Sequence, residues 1–172
     1  MPLTRANATD DPSPDGSGLA IHEDVAVAAD ALWAILGDFG GLLAWNPFVA
    51  GCEVFSEGEH LFRIVETSEG VKICERADVL DSMQRKLVYT IVSSDPVRPL
   101  VGRVASILID RINDTEARIT WSVQQRGITF APEQADALRA GFRARIKALA
   151  LAAAHLYPAS NHTPTPARGS HG

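Results

Sequence analysis

The chain has 172 residues, the size of one ordinary domain, which argues against a multidomain protein. Apolar residues make up 46% of the sequence and charged residues 22%, a composition typical of a globular protein with a sizeable core, and this excludes wholesale disorder. The formal net charge of −5 gives no basic surplus, so nucleic acid is not expected as a partner.

The two ends of the chain differ in composition from its middle. Residues 1–18 are rich in Asp, Pro, Ser and Gly, and residues 158–172 hold three prolines among small polar residues. Such segments bury too little apolar surface to offset the entropy of folding, so we expect a disordered leader and a disordered tail. No secretory signal or membrane span is recognisable. The sequence therefore predicts one domain over residues 19–157 in a cytoplasmic protein.

A strand and two short helices are predicted first. Apolar and polar side chains alternate over residues 19–27, which is the period of a strand with one buried face. From Ala29 to Gly37 apolar residues recur at helical spacing instead. A second helical piece, at about 41–45, ends at Asn46 and Pro47, because the residue before a proline is pushed out of the helical region.

Six further strands and one long helix follow. The strands are predicted at roughly 50–56, 60–67, 71–81, 85–94, 103–111 and 116–125, and the short turn segments between them indicate antiparallel hairpins. After Pro132, an amphipathic helix is predicted to about His155. We therefore expect an α+β fold in which the long helix covers one face of a single antiparallel sheet.

Glu75 breaks the pattern of its strand. It shares one predicted face with four apolar residues, Val71, Ile73, Ala77 and Val79. A carboxylate in such a row must be paired, protonated or exposed to a wet cavity, since burying a bare charge is costly. One interpretation is a structural ion pair inside the sheet, and the other is a functional acid.

Other strands offer further candidate residues. The outward position expected for Asp110 turns Arg103 inward, although an arginine at a strand end can also reach solvent. For Arg63, the periodicity of its strand does not decide between the two faces. Trp121 and Tyr89 lie in apolar rows, where a large aromatic residue is more often core than ligand platform, and a buried tyrosine hydroxyl needs a partner.

The motifs of several common enzyme classes are absent from the sequence. There is no GxSxG elbow, no HExxH, no glycine-rich phosphate loop and no metal-like cluster of His and carboxylates. Cys52 and Cys74 lack the paired spacing of a zinc or redox site. The sequence therefore predicts neither a metal nor a cofactor.

The order of elements and several motifs together resemble the SRPBCC superfamily of START-like helix-grip domains, in particular its bacterial polyketide cyclase/dehydrase branch. The resemblance covers residues 19–157 and is carried by ALWAILGDFGGLLAWNPFVAGCEV, the Gly58 to Arg63 segment, GVKICERADVLD, LVYTIVSSDPVRP, ITWSVQ and the carboxy-terminal helix. It implies a curved seven-stranded antiparallel sheet around the long helix, with an apolar cavity between them. Two short helices after the first strand, together with loops, would gate the mouth of this cavity.

The resemblance also implies which residues face the cavity. It favours an inward Arg63, within reach of Glu75. Two departures matter: Arg103 stands where this branch usually has a tyrosine, and Asn46 stands where the plant hormone receptors carry a ligand-binding lysine. With Arg103 added from the analysis of its strand, the candidate ligand-binding residues are Asn46, Phe48, Arg63, Val65, Glu75, Tyr89, Ile91, Arg103 and Trp121.

Three functions are open at this point. The first is binding of a small, largely apolar ligand whose anionic or carbonyl oxygen meets Arg63 and Arg103. The second is a polyketide cyclase or dehydratase in which Glu75 is the acid/base. Arg63 or Arg103 would stabilise a developing enolate, and Tyr89 would donate a hydrogen bond. The third is a partner-binding protein with a filled core. For the first two, the expected partner is a small hydrophobic or polyketide-like molecule, bound by a monomer or a homodimer.

Overall fold

The computed structural model describes residues 18–159. The elements in chain order are β1 (Gly18–Val25), α1 (Ala29–Leu36), a 3-10 helix (Leu42–Ala44), β2 (Val49–Glu57), β3 (His60–Thr67), β4 (Lys72–Asp81), β5 (Lys86–Asp95), β6 (Val104–Asn113), β7 (Glu116–Gln124) and α2 (Pro132–Leu156). This is the predicted order of elements. The predicted leader and tail lie outside the described residues, except that Gly18 already belongs to β1 and residues 158 and 159 follow α2.

All seven strands form one antiparallel sheet. Their order is β1-β7-β6-β5-β4-β3-β2, so consecutive strands from β2 to β7 are neighbours and β1 closes against β7. The connections between consecutive strands from β2 to β7 have two to eight residues, and connections this short join antiparallel neighbours. The expected α+β architecture, a curved seven-stranded sheet with a long carboxy-terminal helix, is confirmed.

The long helix α2 covers only part of the sheet closely. It begins with Pro132 in its first turn, where the missing N–H is harmless, and it packs against α1 and β1. The buried core there is built from aliphatic side chains such as Ile21, Leu32, Ile119 and Leu149. Next to β3, β4 and β5 the helix leaves space. Within residues 18–159, neither helix has the length and hydropathy that crossing a membrane requires.

The strand β4 is irregular on both sides of Glu75. Its pairing with β5 shifts between Cys74 and Glu75 and again between Ala77 and Val79. A bulge bends its strand and strengthens the local twist, so the alternation of faces does not continue through it. The predicted inner position of Val79 is therefore wrong: the residue is 36% exposed, beyond the second bulge.

Candidate functional site

A cavity of about 530 Å³ lies between the sheet and α2. Apolar side chains from β3, β5, β6, β7 and α2 form most of its wall, among them Val65, Ile91, Ile107, Val123 and Leu138. Its volume falls within the roughly 300–1,000 Å³ typical of small-molecule sites. A filled core, the third function considered for this sequence, is not what the structure contains.

The nine candidate residues from the sequence all line this cavity. Asn46 and Phe48 come from the loop before β2, Arg103 immediately precedes β6, and the others come from β3, β4, β5 and β7. The residues that the structure brings together are Asn46, Phe48, Arg63, Val65, Glu75, Tyr89, Ile91, Arg103 and Trp121. Their location in one cavity is a structural fact, whereas their roles in binding or catalysis are proposals.

Arg63 and Glu75 form a buried ion pair. The β3–β4 register places the two residues directly opposite each other, and Arg63 Nε lies 2.5 Å from Glu75 Oε2. Their side chains are 4% and 10% exposed. Arg63 Nη1 also donates to the Phe39 carbonyl at 2.9 Å, and the guanidinium stacks on the Phe39 ring, 4.0 Å from its centroid. Arg63 is thus held largely by the protein itself.

The Tyr89 hydroxyl is a hydrogen-bond donor on the cavity wall. Burial raises the pKa of Tyr89 far above its usual value, and the nearby Glu75 charge raises it further, against the opposing effect of three arginines. The phenol therefore stays protonated at neutral pH. Tyr89 lines the cavity, and its hydroxyl makes no hydrogen bond with any group of residues 18–159. A ligand oxygen in the cavity is a suitable acceptor for it.

Gln125 organises the cavity wall around Arg103, and the sequence analysis missed it. It is 6% exposed, and its side-chain amide donates to the carbonyls of Pro99 at 2.7 Å and Val101 at 3.1 Å. Its Oε1 accepts from Arg103 Nε at 3.4 Å, and the Arg103 guanidinium lies 5.2 Å from the Phe130 ring centroid. The alternation of β7 could have indicated Gln125. Gln124 is expected to face outward, so the next residue is expected to face inward.

Replacing Gln125 by Leu should lower the free energy of unfolding by about 1–2 kcal/mol, because the two loop carbonyls lose their side-chain donor. Chemical unfolding of the variant and of wild type measures this difference. Gln124→Leu is the matched control, since Gln124 is the exposed neighbour at the end of β7. Equal losses in the two variants would show that the loop does not depend on the Gln125 amide.

Arg145 is a second residue that the sequence analysis missed. It lies on α2, is half-buried, lines the cavity and stacks on Phe48, 4.5 Å from the ring centroid. Burial lowers the pKa of Arg145, because the charged form loses its water. The helical spacing of the sequence could have indicated that Arg145 faces the sheet. Arg145 follows Leu138 by seven residues and Phe142 by three, which places it on the apolar stripe of α2.

Loops from three parts of the chain meet at the mouth of the cavity. Asn46 Oδ1 accepts from the Phe48 N–H at 3.0 Å, which tightens the turn around Pro47, and the Ser68 N–H donates to the Phe48 carbonyl at 3.0 Å. Arg98, from the loop between β5 and β6, is exposed and completes the lining. Phe48 is therefore anchored through its backbone, while its ring covers Arg145.

No group of three His, Cys, Asp or Glu side chains within residues 18–159 is placed to hold a metal ion. The charged groups of the cavity are instead four arginines and two glutamates, and the Tyr89 phenol lies among them. This set can neutralise an anion, donate hydrogen bonds to a carbonyl or exchange a proton with a bound molecule.

The profile of one protein family, described as polyketide cyclase / dehydrase and lipid transport, matches residues 20–154. No curated protein matches the sequence.

Solved structures with a similar fold come from several bacteria. XoxI from Bacillus cereus is 19% identical over 81% of this chain and 97% of its own, with a TM-score of 0.69. A START superfamily protein from Mycobacterium smegmatis is 15% identical, with coverages of 81% and 98% and a TM-score of 0.62. The Zhui aromatase/cyclase from Streptomyces sp. R1128 is 17% identical, with coverages of 78% and 87% and a TM-score of 0.55. At these identities the likeness shows the fold alone.

Proposed function

Because the chain belongs to the polyketide cyclase/dehydrase and lipid transport family, we propose that it binds a small, largely apolar molecule bearing an anionic or carbonyl oxygen. The cavity between the sheet and α2 is the binding site. The observation that carries this proposal is the combination of an apolar wall with two arginines, Arg103 and Arg145, that form no ion pair with a carboxylate of residues 18–159.

The physical argument concerns the cost of these charges. A guanidinium that is taken out of water loses solvation, and it recovers this free energy only from a well-placed anion or acceptor. Burial lowers the pKa of Arg103, as it does for Arg145, which reflects that loss. An oxygen of a bound molecule would supply the missing partner, while the apolar remainder of the molecule would be removed from water by the cavity wall.

A neutral fluorescent hydrophobe tests the cavity directly. We expect N-phenyl-1-naphthylamine to show saturable, one-site binding to wild type, with a rise in fluorescence as the dye leaves water. Native mass spectrometry of the protein purified from its own host would then reveal the class of any small molecule that co-purifies. A dye signal no larger than that of an unrelated folded protein would contradict the proposed function.

A second candidate function is cyclase or dehydratase catalysis, and one observation favours it. Glu75 reaches the same cavity as the Tyr89 hydroxyl, and only its Oε2 is engaged by Arg63. A bound carbonyl compound could accept a hydrogen bond from Tyr89 while the Glu75 carboxylate exchanges a proton with it. The fold shared with an aromatase/cyclase is compatible with this chemistry but does not identify a reaction.

Turnover of a co-purifying or polyketide-like carbonyl compound decides between the two candidates. If Glu75 is the acid/base, Glu75→Gln should slow the reaction by about 100-fold or more, the usual contribution of a positioned acid/base. Glu66→Gln is the matched control, because Glu66 is exposed on β3 and does not line the cavity. An undiminished rate in Glu75→Gln would remove Glu75 from the chemistry.

A further inference from the structure

The cavity is positively charged, although the chain as a whole carries −5. Four arginines and two glutamates line it, which gives the lining a formal charge of +2. These residues are Arg63, Arg98, Arg103, Arg145, Glu69 and Glu75. A cavity of opposite sign to its protein favours anions over neutral molecules of the same shape.

The excess positive charge inside the cavity belongs to two of these arginines. Arg63 is neutralised by Glu75, and Arg98 is exposed to solvent at the mouth. Arg103 and Arg145 are half-buried, and within residues 18–159 neither forms an ion pair with a carboxylate. These two guanidinium groups are therefore the charges that an anionic ligand would neutralise.

The Arg145 guanidinium lies close to a glycine in the middle of α2. A Cβ atom at Gly141 would lie 3.0 Å from Arg145 Nη1, closer than ordinary van der Waals contact. Glycine is unfavourable inside a helix, so its presence one turn before Arg145 needs a reason. It leaves the space in which the guanidinium lies along the helix, while the Phe48 ring covers another side of the same group.

Arg103 and Arg145 share a neighbour, the Tyr89 hydroxyl. The charges of both arginines act on this phenol and partly oppose the rise in its pKa that burial causes. Arg103 itself is oriented by Gln125 and by the Phe130 ring. All three side chains line the same cavity, and the Arg103 carbonyl accepts from the N–H of Ile91, two residues after Tyr89 in β5, at 2.9 Å. Three hydrogen-bond donors, two of them charged, therefore face one cavity.

Building on the proposed function, we propose that Arg103, Arg145 and the Tyr89 hydroxyl form a carboxylate-binding site, so that the ligand is a hydrophobic carboxylic acid. Arginine can bind a carboxylate through two parallel hydrogen bonds, and a charge-assisted hydrogen bond is stronger than a neutral one. Arg145 is the residue expected to distinguish the acid from a neutral molecule of the same shape.

The test uses two isosteric probes, biphenyl-4-acetate and biphenyl-4-acetamide, which differ in charge but hardly in size. Each displaces N-phenyl-1-naphthylamine from the protein at neutral pH. For wild type, we expect the acid to bind about 10-fold or more tightly than the amide, which is the fold-change expected of one charge-assisted hydrogen bond.

Variants then identify the arginine responsible. Arg145→Met should weaken binding of the acid by about 10- to 100-fold and change binding of the amide by no more than about 2-fold. Arg145→Lys should retain part of the preference for the acid over the amide, since lysine keeps the positive charge but lacks the planar guanidinium that can make two parallel hydrogen bonds. Arg103→Met should also weaken binding of the acid. Arg143→Met is the matched control: Arg143 lies on the same helix but is exposed and bonded to Glu23, so the change in net charge is identical.

Each of the other possible outcomes would contradict the carboxylate site, the proposed function or both. Equal binding of acid and amide to wild type, with the dye still bound, would refute the carboxylate site and leave the proposed function standing. A loss in Arg143→Met as large as that in Arg145→Met would show that only the overall charge matters, and it would also refute the site. Failure of wild type to bind the dye would overturn the proposed function and this inference together. Thermal melts establish that each variant is folded, and Arg103→Met provides a second test if Arg145→Met is not.

Discussion

Replacing Arg63 by Met is expected to lower the free energy of unfolding by about 3–5 kcal/mol, the usual loss when one member of a buried ion pair is removed. The variant leaves the Glu75 carboxylate, which is 10% exposed, without its guanidinium partner. It also removes the donor to the Phe39 carbonyl. Urea unfolding of the variant and of wild type, analysed with the same dependence of the free energy of unfolding on urea concentration, measures this loss.

Two further variants show whether the uncompensated charge causes this loss. In Arg63→Met/Glu75→Leu no charge is left buried, so we expect at least half of the lost stability to return. Arg76→Met removes the ion pair with Asp78, whose side chains are 36% and 27% exposed, and should cost no more than about 1 kcal/mol. If Arg63→Met cost no more than Arg76→Met, the Arg63–Glu75 pair would make no special contribution to stability.

The same pair affects how Glu75→Gln should be interpreted. A glutamine at this position keeps an oxygen that can accept from Arg63 Nε, so we expect the variant to stay folded and lose less stability than Arg63→Met. Its effect on turnover would then report on the carboxylate itself rather than on unfolding. This makes Glu75→Gln a more informative variant than an alanine substitution.

Ala105→Phe is expected to reduce dye and ligand affinity by about 10- to 100-fold, the effect of the 1–3 kcal/mol that a clash with a bound molecule typically costs. Ala105 is buried in β6, lines the cavity and pairs with Tyr89 of β5. A phenyl ring at this position would occupy space that the ligand needs. Because the cavity already offers room, the substitution should destabilise the fold less than it would in a filled core.

The matched control for Ala105→Phe is Ser106→Phe. Ser106 is the next residue of β6 and faces the opposite side of the sheet, away from the cavity. Dye titration and thermal melting of both variants separate a blocked cavity from a disturbed strand. Undiminished dye binding by a folded Ala105→Phe would locate the bound molecule somewhere other than this cavity.

The order of strands and helices could be predicted because it depends on local periodicity, and local periodicity is visible in one sequence. The irregularities of β4 were not predictable in the same way. A bulge depends on how a strand pairs with its neighbour, so the exposure of Val79 follows from the β4–β5 register and not from the β4 pattern alone.

The candidate site illustrates the same limit. The periodicity of β3 did not decide which face Arg63 occupies, and only the family resemblance favoured the inward face. In the structure, the β3–β4 register places Arg63 opposite Glu75. Arg145 was overlooked because the helical stripe was defined by its apolar members, and a long charged side chain on the stripe was not considered. Neither the stacking of Arg145 on Phe48 nor the recess at Gly141 can be seen before the helix is packed.

Gly141 makes stability and recognition compete at one position. A glycine inside a helix costs about 0.5–1 kcal/mol relative to alanine, so the simplest way to stabilise α2 would be an alanine at residue 141. The methyl carbon would lie 3.0 Å from Arg145 Nη1, so the guanidinium would have to shift by a few tenths of an ångström from its present position. Selection for a more stable helix and selection for the present Arg145 position therefore act in opposite directions on residue 141.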